Sequence, residues 1–205
     1  MATFATHRDT DVVLLTGQPG CGKTTAVKRV SEALARDGMQ LRGFVTEEVL
    51  VGGNRVGFDV VTIPDGKRGI LSRKGGPAAH PKTGQYSVDV ASFEKLALPT
   101  IEPPAGQDVV VVLDEIGRME LHSAAFAARV EELLKRGTRL VGAITAPIYG
   151  HRVAFCDAVS ASRGVETHRL TAKIRDEVVS ALEAQLLKRW AGRETERAGK
   201  KQRRN

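Results

Sequence analysis

The sequence predicts an α/β fold in which a mostly parallel sheet carries helices on both faces. Strand and helix patterns alternate along most of the chain, as in folds built from βα units. Residues 109–113 form an uninterrupted run of Val and Leu, which is typical of a central parallel strand covered on both sides. A glycine-rich turn joins the first predicted strand to the first predicted helix. The 205 residues suffice for one such domain but not for two large ones.

The amino-terminal part of the chain predicts a strand, a helix and a β-hairpin. The strand is a short apolar run over residues 11–15. Residues 24–36 have apolar side chains at helical spacing, and Gly38 ends that helix. Residues 41–49 and 56–63 are rich in β-branched side chains, and a Gly-Gly-Asn turn lies between them. These two segments are therefore expected to pair as a hairpin.

The middle of the chain predicts an exposed insertion followed by a helix. Residues 64–85 are rich in Gly, Pro, Lys and Arg, and only residues 70–72 have strand character. We expect a long loop there with one short strand inside it. Residues 89–98 have helical potential, and Pro99 is expected to close that helix.

After the central strand, the pattern predicts a further alternation of helices and strands. Residues 120–136 form an amphipathic helix, and Gly137 is placed to cap it. Residues 140–145 and 165–170 predict two more strands. The last helix is expected to begin near Thr171, a residue type that favours helix N-caps.

The positive charge of the chain is concentrated at its carboxyl end. The net charge is +7, and residues 188–205 hold eight basic and two acidic side chains, so this segment carries six of the seven excess charges. We therefore divide the chain into an extension (1–10), one near-neutral domain (11–187) and a basic, disordered tail (188–205). The tail is expected to be a solubilising extension, a weak nucleic-acid contact or a nuclear-import signal.

The cysteine content and the hydropathy pattern predict a cytoplasmic protein with no membrane contact. Cys21 and Cys156 are too few for a disulfide framework and lack the spacing of a zinc site, which favours a reducing compartment. No apolar run approaches the length of about 18 residues that crosses a bilayer. Nuclear localisation is the alternative that the basic tail raises. A monomer is expected.

Residues 17–24 read GQPGCGKT and match the pattern G-x-x-x-x-G-K-[ST] between a predicted strand and a predicted helix. In such a loop, backbone N–H groups and the helix N-terminus converge on phosphate oxygens. The lysine, Lys23, is expected to reach the β- and γ-phosphates, and the Thr24 hydroxyl to bind Mg²⁺. The candidate nucleotide-binding residues of this loop are Gly17, Gln18, Pro19, Gly20, Cys21, Gly22, Lys23, Thr24 and Thr25.

A pair of carboxylates, Asp114 and Glu115, follows the central strand. The ends of parallel strands form the ligand-binding edge of such sheets, so Asp114 is expected to hold Mg²⁺ and Glu115 to orient or deprotonate the attacking water. Gly117 is a further candidate for nucleotide binding. Arg118 either supplies positive charge to the transition state or pairs with Glu120 on the surface. The candidate catalytic residues are Glu115, Lys23 and Arg118.

Five blocks of sequence carry a family resemblance. They are GQPGCGKTT at residues 17–25, GFVTEE at 43–48, GFDVV at 57–61, GQYSV at 84–88 and DEIGRMEL at 114–121. In this order and spacing they resemble the cancer-related nucleoside-triphosphatase family, which includes thermostable archaeal and bacterial enzymes. The resemblance implies a RecA-like P-loop core and Mg²⁺-dependent hydrolysis of nucleoside 5′-triphosphates (ATP, GTP, CTP and UTP) to the diphosphate and phosphate, with little base preference.

The chain departs from the family pattern at two positions. Leu50 stands where many members carry an arginine, and Ile174 replaces the asparagine of a late Asn-Arg-Asp block. Arg175 of that block either approaches the base or phosphates or is an exposed helix residue.

Two other functions remain open from the sequence. A small-molecule or nucleotide kinase would use the same phosphate loop, with the region of Arg152 and Arg163 as its lid. A nucleic-acid-associated ATPase would use the basic tail for contact. A signalling GTPase is excluded, because its Asn-Lys-x-Asp motif needs an internal asparagine in that context and the chain has only Asn54 and Asn205.

Overall fold

The computed structural model describes the backbone of residues 11–147 and 151–202, with side chains as far as Trp190. The predicted extension, residues 1–10, lies outside the described residues. In the described part of the chain, nine strands form one sheet. The strands are β1 (Val12–Thr16), β2 (Gln40–Val51), β3 (Asn54–Ile63), β4 (Arg68–Lys74), β5 (Lys82–Thr83), β6 (Tyr86–Val88), β7 (Val109–Ile116), β8 (Arg139–Ile144) and β9 (Val165–Arg169). The α-helices are α1 (Lys23–Arg36), α2 (Val90–Thr100), α3 (Ala124–Arg136), α4 (Ala154–Ser160) and α5 (Arg175–Gln202).

The sheet has a parallel part and an antiparallel part. Its strand order is β5-β6-β4-β3-β2-β7-β8-β1-β9, and the five strands from β2 to β9 in this order are parallel. Strands β3, β4, β6 and β5 extend the sheet in antiparallel pairs. In the parallel part all five strands end on one side, which we call the carboxyl edge, and begin on the opposite side, the amino edge.

Helices cover both faces of the sheet, as the sequence predicts. Alternate residues of β1 point to opposite faces, because successive side chains of a strand do so. Val12 and Leu14 pack in one apolar cluster with α2, α3 and α4, whereas Val13 and Leu15 pack in the other with α1 and α5. The first cluster is centred on Phe44, Phe93 and Phe126, whose ring centroids lie 5.3–5.9 Å apart in edge-to-face geometry. The predicted α/β class and the predicted hairpin, β2 with β3, are confirmed.

The segment expected to be an exposed insertion is instead part of the sheet. Strand β4 has seven residues rather than three and pairs along β3, and the short strands β5 and β6 follow it. Leu71 is buried in the aromatic cluster. Apart from Gly69, which lies in β4, the Gly and Pro residues of this segment lie in the turns that flank these strands. The composition of the whole segment therefore did not reveal the strands.

Helices α2 and α3 have bounds that differ from the prediction. Helix α2 includes Pro99 and ends at Thr100, because a proline in the last turn removes only one backbone hydrogen bond. Helix α3 begins at Ala124, since the Ser123 hydroxyl caps it by accepting the N–H of Phe126 at 2.9 Å, and residues 120–122 form a separate 3₁₀ turn. Gly137 caps α3 with φ of 66°, as expected. The short helix α4 was not predicted.

The last helix continues beyond the predicted domain boundary at residue 187. Trp190 is fully buried against the sheet, and its indole Nε1 donates to Asp11 Oδ2 at 2.7 Å. Arg189 pairs with Asp11 and with Glu166. Residues 188–190 therefore belong to the packed domain, and the helix runs to Gln202 where a disordered tail was expected. No helix of the described chain combines the length and apolar character needed to cross a membrane.

Candidate functional site

The phosphate loop, residues 17–24, connects the end of β1 to the start of α1 at the carboxyl edge. Gly20 and Gly22 have φ of 78° and 92°, a left-handed conformation that glycine adopts without strain. Gly22 is the N-cap of α1 and offers no side chain to cap it. The first N–H groups of the helix are therefore not capped by a side chain and can meet an anion, with the helix dipole in the favourable direction.

The base of the loop is packed against the end of β9. The Leu170 N–H donates to Thr16 O at 2.6 Å, and a Cβ added to Gly17 would lie 2.6 Å from Leu170 O and 2.7 Å from Cys21 Sγ. The buried Cys21 thiol thus faces the interior of the loop. Gln18 and Pro19 are exposed at its outer rim, and Thr25 is exposed in the first turn of α1. Glycine is required at position 17 because any side chain there would collide with the backbone of Leu170.

Lys23 links the phosphate loop to the carboxylates at the end of β7. Its Nζ donates to Gly17 O at 3.2 Å and lies 3.5 Å from Glu115 Oε2. Its side chain is only 11% exposed. An ammonium group in this position lies between the phosphate loop and the carboxylates, where it can form charge-assisted contacts with an anion.

Asp114 is fully buried at the end of β7. Burial, and then the charge of Glu115, raise the pKa of this carboxyl from 3.8 to about 6, against the opposing effects of the Thr24 hydroxyl, the Thr46 N–H and Lys23. Its Oδ1 makes no hydrogen bond to any described residue. A buried carboxylate oxygen without a donor, beside a hydroxyl group, suits a hard cation such as Mg²⁺, which binds one or two protein oxygens together with substrate phosphates.

Glu115 is held from two sides. Thr145, which follows β8, donates its hydroxyl to Glu115 Oε1 at 2.6 Å, and Lys23 lies near Oε2. The pairing of β7 with β8 shifts register between Leu113 and Ile116, and this irregularity contains both carboxylates. The side chain of Glu115 is partly exposed, so a water molecule can reach it.

A third carboxylate, Glu120, lies behind Glu115. A Cβ added to Gly117 would lie 2.7 Å from Glu115 Oε1 and 2.9 Å from Glu120 Oε2, so the glycine permits both carboxylates to approach. Burial and the charge of Glu115 raise the pKa of Glu120 well above its usual range. The absence of a side chain at Gly117 therefore leaves room for the carboxylates of Glu115 and Glu120.

Arg118 is exposed and donates from Nη2 to His151 O at 2.9 Å. Pairing with Glu120, one of its two expected roles, does not occur, because Glu120 is turned inward and buried. The other candidate residues, Lys23, Thr24, Asp114 and Glu115, converge at the carboxyl edge.

The family model described as NTPase matches residues 12–182. The chain belongs to the NTPase family. Human cancer-related nucleoside-triphosphatase is 42% identical over 177 residues, covering 82% of this chain and 92% of that protein. The resemblance drawn from the five sequence blocks is thus confirmed, as is the enzyme class of nucleoside-triphosphate hydrolase.

Two solved structures of NTPase relatives share the fold. The solution structure of a human cancer-related nucleoside triphosphatase has a TM-score of 0.72 and 39% identity, over 86% of this chain and 97% of that one. The crystal structure of THEP1 from the hyperthermophile Aquifex aeolicus has a TM-score of 0.70 and 31% identity, over 84% of this chain and 96% of that one. The α/β P-loop fold expected from the sequence is confirmed.

Two residues of the candidate site, Thr145 and Thr46, were missed from the sequence, and the role of Arg175 was left open. Thr145 and Thr46 contact the carboxylates, and the Thr46 hydroxyl lies 3.5 Å from Asp114 Oδ2. Arg175 packs over the phosphate loop, with its Cδ 2.7 Å from where a Gly22 Cβ would be. The signal for Thr145 was its place as the last residue of the predicted strand 140–145, since polar residues at the end of a parallel strand lie on the carboxyl edge.

Proposed function

We propose that this NTPase binds a nucleoside 5′-triphosphate with Mg²⁺ between the phosphate loop and the ends of β7 and β8, and releases the diphosphate and phosphate. The observation that carries the proposal is the position of Lys23, which lies between Gly17 O and Glu115 Oε2. Phosphate-binding amides, a cation ligand and a carboxylate for water activation thereby surround one cleft.

In the proposed mechanism, backbone N–H groups of the phosphate loop and the Lys23 ammonium bind the β- and γ-phosphates. Thr24 and Asp114 hold Mg²⁺, and the unpartnered Oδ1 of Asp114 supports this assignment. The metal, when bound, neutralises negative charge on the phosphate oxygens. Glu115 accepts a proton from the water that attacks the γ-phosphorus. Arg118 contributes positive charge if nucleotide binding releases it from His151 O.

Broad base tolerance fits the same arrangement. The groups gathered in the cleft address the phosphates, the metal and the attacking water, which are the same in ATP, GTP, CTP and UTP. We propose accordingly that all four are hydrolysed. We also propose a monomer and a cytoplasmic location, the latter because Cys21 and Cys156 are free. The basic tail keeps nuclear accumulation as an alternative.

The two alternative functions receive less support. Arg152 is paired with Asp157 through contacts of 2.7 and 3.1 Å. Arg163 comes before β9, next to Gly164, whose carbonyl accepts the N–H of Val12. It therefore lies at the amino edge, away from the phosphate loop, and cannot serve as part of a kinase lid there. Helix α5 also carries the chain away from the cleft toward the amino edge, which separates the basic tail from the site.

The test is inorganic phosphate release from ATP, GTP, CTP and UTP, in Mg²⁺ or in EDTA. We expect hydrolysis of all four with kcat/KM values within about tenfold of one another, and none in EDTA. Addition of alcohol or nucleotide acceptors, or of RNA or DNA, should leave phosphate release unchanged. Transfer of the phosphoryl group to an acceptor would favour the kinase, and stimulation by nucleic acid would favour the nucleic-acid-associated ATPase.

A further inference from the structure

Thr145 occupies a fixed position next to the carboxylate that the proposed mechanism uses. It follows β8, which lies between β1 and β7, the two strands that carry the phosphate loop and Asp114. Its backbone N–H donates to Ile116 O at 3.1 Å, which ties it to the end of β7. The backbone at Thr145 is thus held by the sheet, and its side chain contacts Glu115 from a rigid support.

In the proposed mechanism, nucleotide binding removes one of the two contacts of Glu115 and leaves the other in place. The Lys23 ammonium lies 3.5 Å from Oε2. In the proposed mechanism this ammonium moves away from Glu115 to contact the phosphates. The Thr145 hydroxyl donates to Oε1 at 2.6 Å and has no role in phosphate binding. When Lys23 turns to the triphosphate, Thr145 therefore remains as the contact that fixes the carboxylate.

The same geometry distinguishes the two oxygens of Glu115. Oε1 is occupied by the Thr145 hydroxyl, whereas Oε2 faces Lys23 and the cleft. A hydroxyl donating to one carboxylate oxygen limits rotation of the group and leaves the other oxygen directed at the substrate.

We propose that Thr145 is a positioning residue for hydrolysis: it binds Oε1 of Glu115, so that Oε2 is the oxygen that receives the proton from water. This rests on the proposed function. As the water oxygen bonds to the γ-phosphorus, the bond from that phosphorus to the β,γ-bridging oxygen breaks. One water proton passes to Oε2, the diphosphate leaves, and inorganic phosphate forms.

The test compares three substitutions. Thr145→Val keeps the shape and the backbone N–H but removes the hydroxyl, and Thr145→Ser keeps the hydroxyl. Thr138→Val makes the same chemical change at the other end of β8. We expect Thr145→Val to lower kcat about 10- to 100-fold while the Kd for a non-hydrolysable triphosphate changes less than twofold. Thr145→Ser should recover most of kcat, and Thr138→Val should equal the wild type.

A double substitution shows whether Thr145 acts through Glu115. In the Glu115→Gln background, adding Thr145→Val should lower kcat by less than twofold, because the group that Thr145 positions no longer accepts a proton. A full additional loss would overturn the proposal, as would unchanged kcat in Thr145→Val or a failure of Thr145→Ser to recover it. If Glu115→Gln alone retained full activity, the proposed role of Glu115 would fail, and the inference about Thr145 with it. A large loss in Glu115→Gln with none in Thr145→Val overturns only the inference.

Discussion

The two edges of the parallel sheet surround their buried carboxylates differently. At the amino edge, Asp11 is 1% exposed and meets the Trp190 indole at 2.7 Å and the Arg189 guanidinium at 2.6 Å. At the carboxyl edge, Asp114 is equally buried, but its neighbours include the carboxylates of Glu115 and Glu120. At the amino edge the buried carboxylate of Asp11 is paired with Arg189. At the carboxyl edge several carboxylates lie close to one another.

This difference separates the groups that hold the fold together from the groups that the proposed mechanism uses. Paired groups at the amino edge fix α5 against β1 and need no ligand. Burial, and then like charges at the carboxyl edge, raise the pKa values of Asp114 and Glu120, which costs stability at neutral pH in the absence of a cation. We therefore expect substitutions at the carboxyl edge to affect binding and turnover, and substitutions at the amino edge to affect unfolding.

The largest effect is expected from Lys23→Ala at the carboxyl edge. Removing the only ammonium group near Gly17 O and Glu115 among the described contacts should lower kcat/KM by about 10²–10³-fold or more, because the triphosphate loses a charge-assisted contact in the cleft. Calorimetry with a non-hydrolysable triphosphate measures the affinity, and a phosphate-release assay measures kcat/KM. Lys188→Ala, an exposed lysine on α5, is the matched control and should change neither value. Near-normal affinity in Lys23→Ala would contradict the assignment of the cleft.

At the amino edge, Trp190→Ala should destabilise the protein by about 3–5 kcal/mol, because a fully buried indole and its hydrogen bond to Asp11 are lost. Urea unfolding measures the free energy of unfolding. The folded fraction should hydrolyse triphosphate at the wild-type kcat. A stable variant with reduced kcat would show that the two edges are coupled, and the comparison would then be wrong.

Motifs and strand ends predicted several of the residues that the structure brings together at the carboxyl edge. The phosphate loop and the pair Asp114 and Glu115 stand out because their residue types and spacing serve one chemistry. Thr145 did not stand out, since threonine is common and only the order of β1, β8 and β7 brings it to Glu115. Trp190 was missed because it lies within a basic, weakly periodic segment, and its burial depends on Asp11 at the far end of the chain.

Removal of the Asp114 charge should stabilise the ligand-free protein in a pH-dependent way. The folded-state pKa of about 6 lies above the 3.8 of an exposed carboxyl, so this group contributes stability below pH 4 and loses it as pH rises through 6. In EDTA, Asp114→Asn should therefore gain about 2–3 kcal/mol over the wild type at pH 7.5, and about half of that at pH 5. Urea unfolding at the two pH values measures it. An equal difference at both would contradict the raised pKa.

The smallest effect is expected from deletion of residues 193–205. Helix α5 begins beside the phosphate loop and reaches Asp11 at Trp190, so its continuation leads away from the cleft. Turnover should stay within about twofold of the full chain. Any retention on RNA or DNA should be lost with the tail and should weaken steeply as salt rises. A large loss of turnover would mean that the tail contributes to the site.

Glu115→Gln tests most directly whether the carboxyl edge serves hydrolysis and not the fold. The variant keeps the size of the side chain and removes its negative charge. We predict a ligand-free stability at least equal to that of the wild type and a Kd for the Mg²⁺-bound non-hydrolysable triphosphate within about twofold of it. Phosphate release under single-turnover conditions should fall about 10²-fold or more. Phosphate release at the wild-type rate would contradict the account.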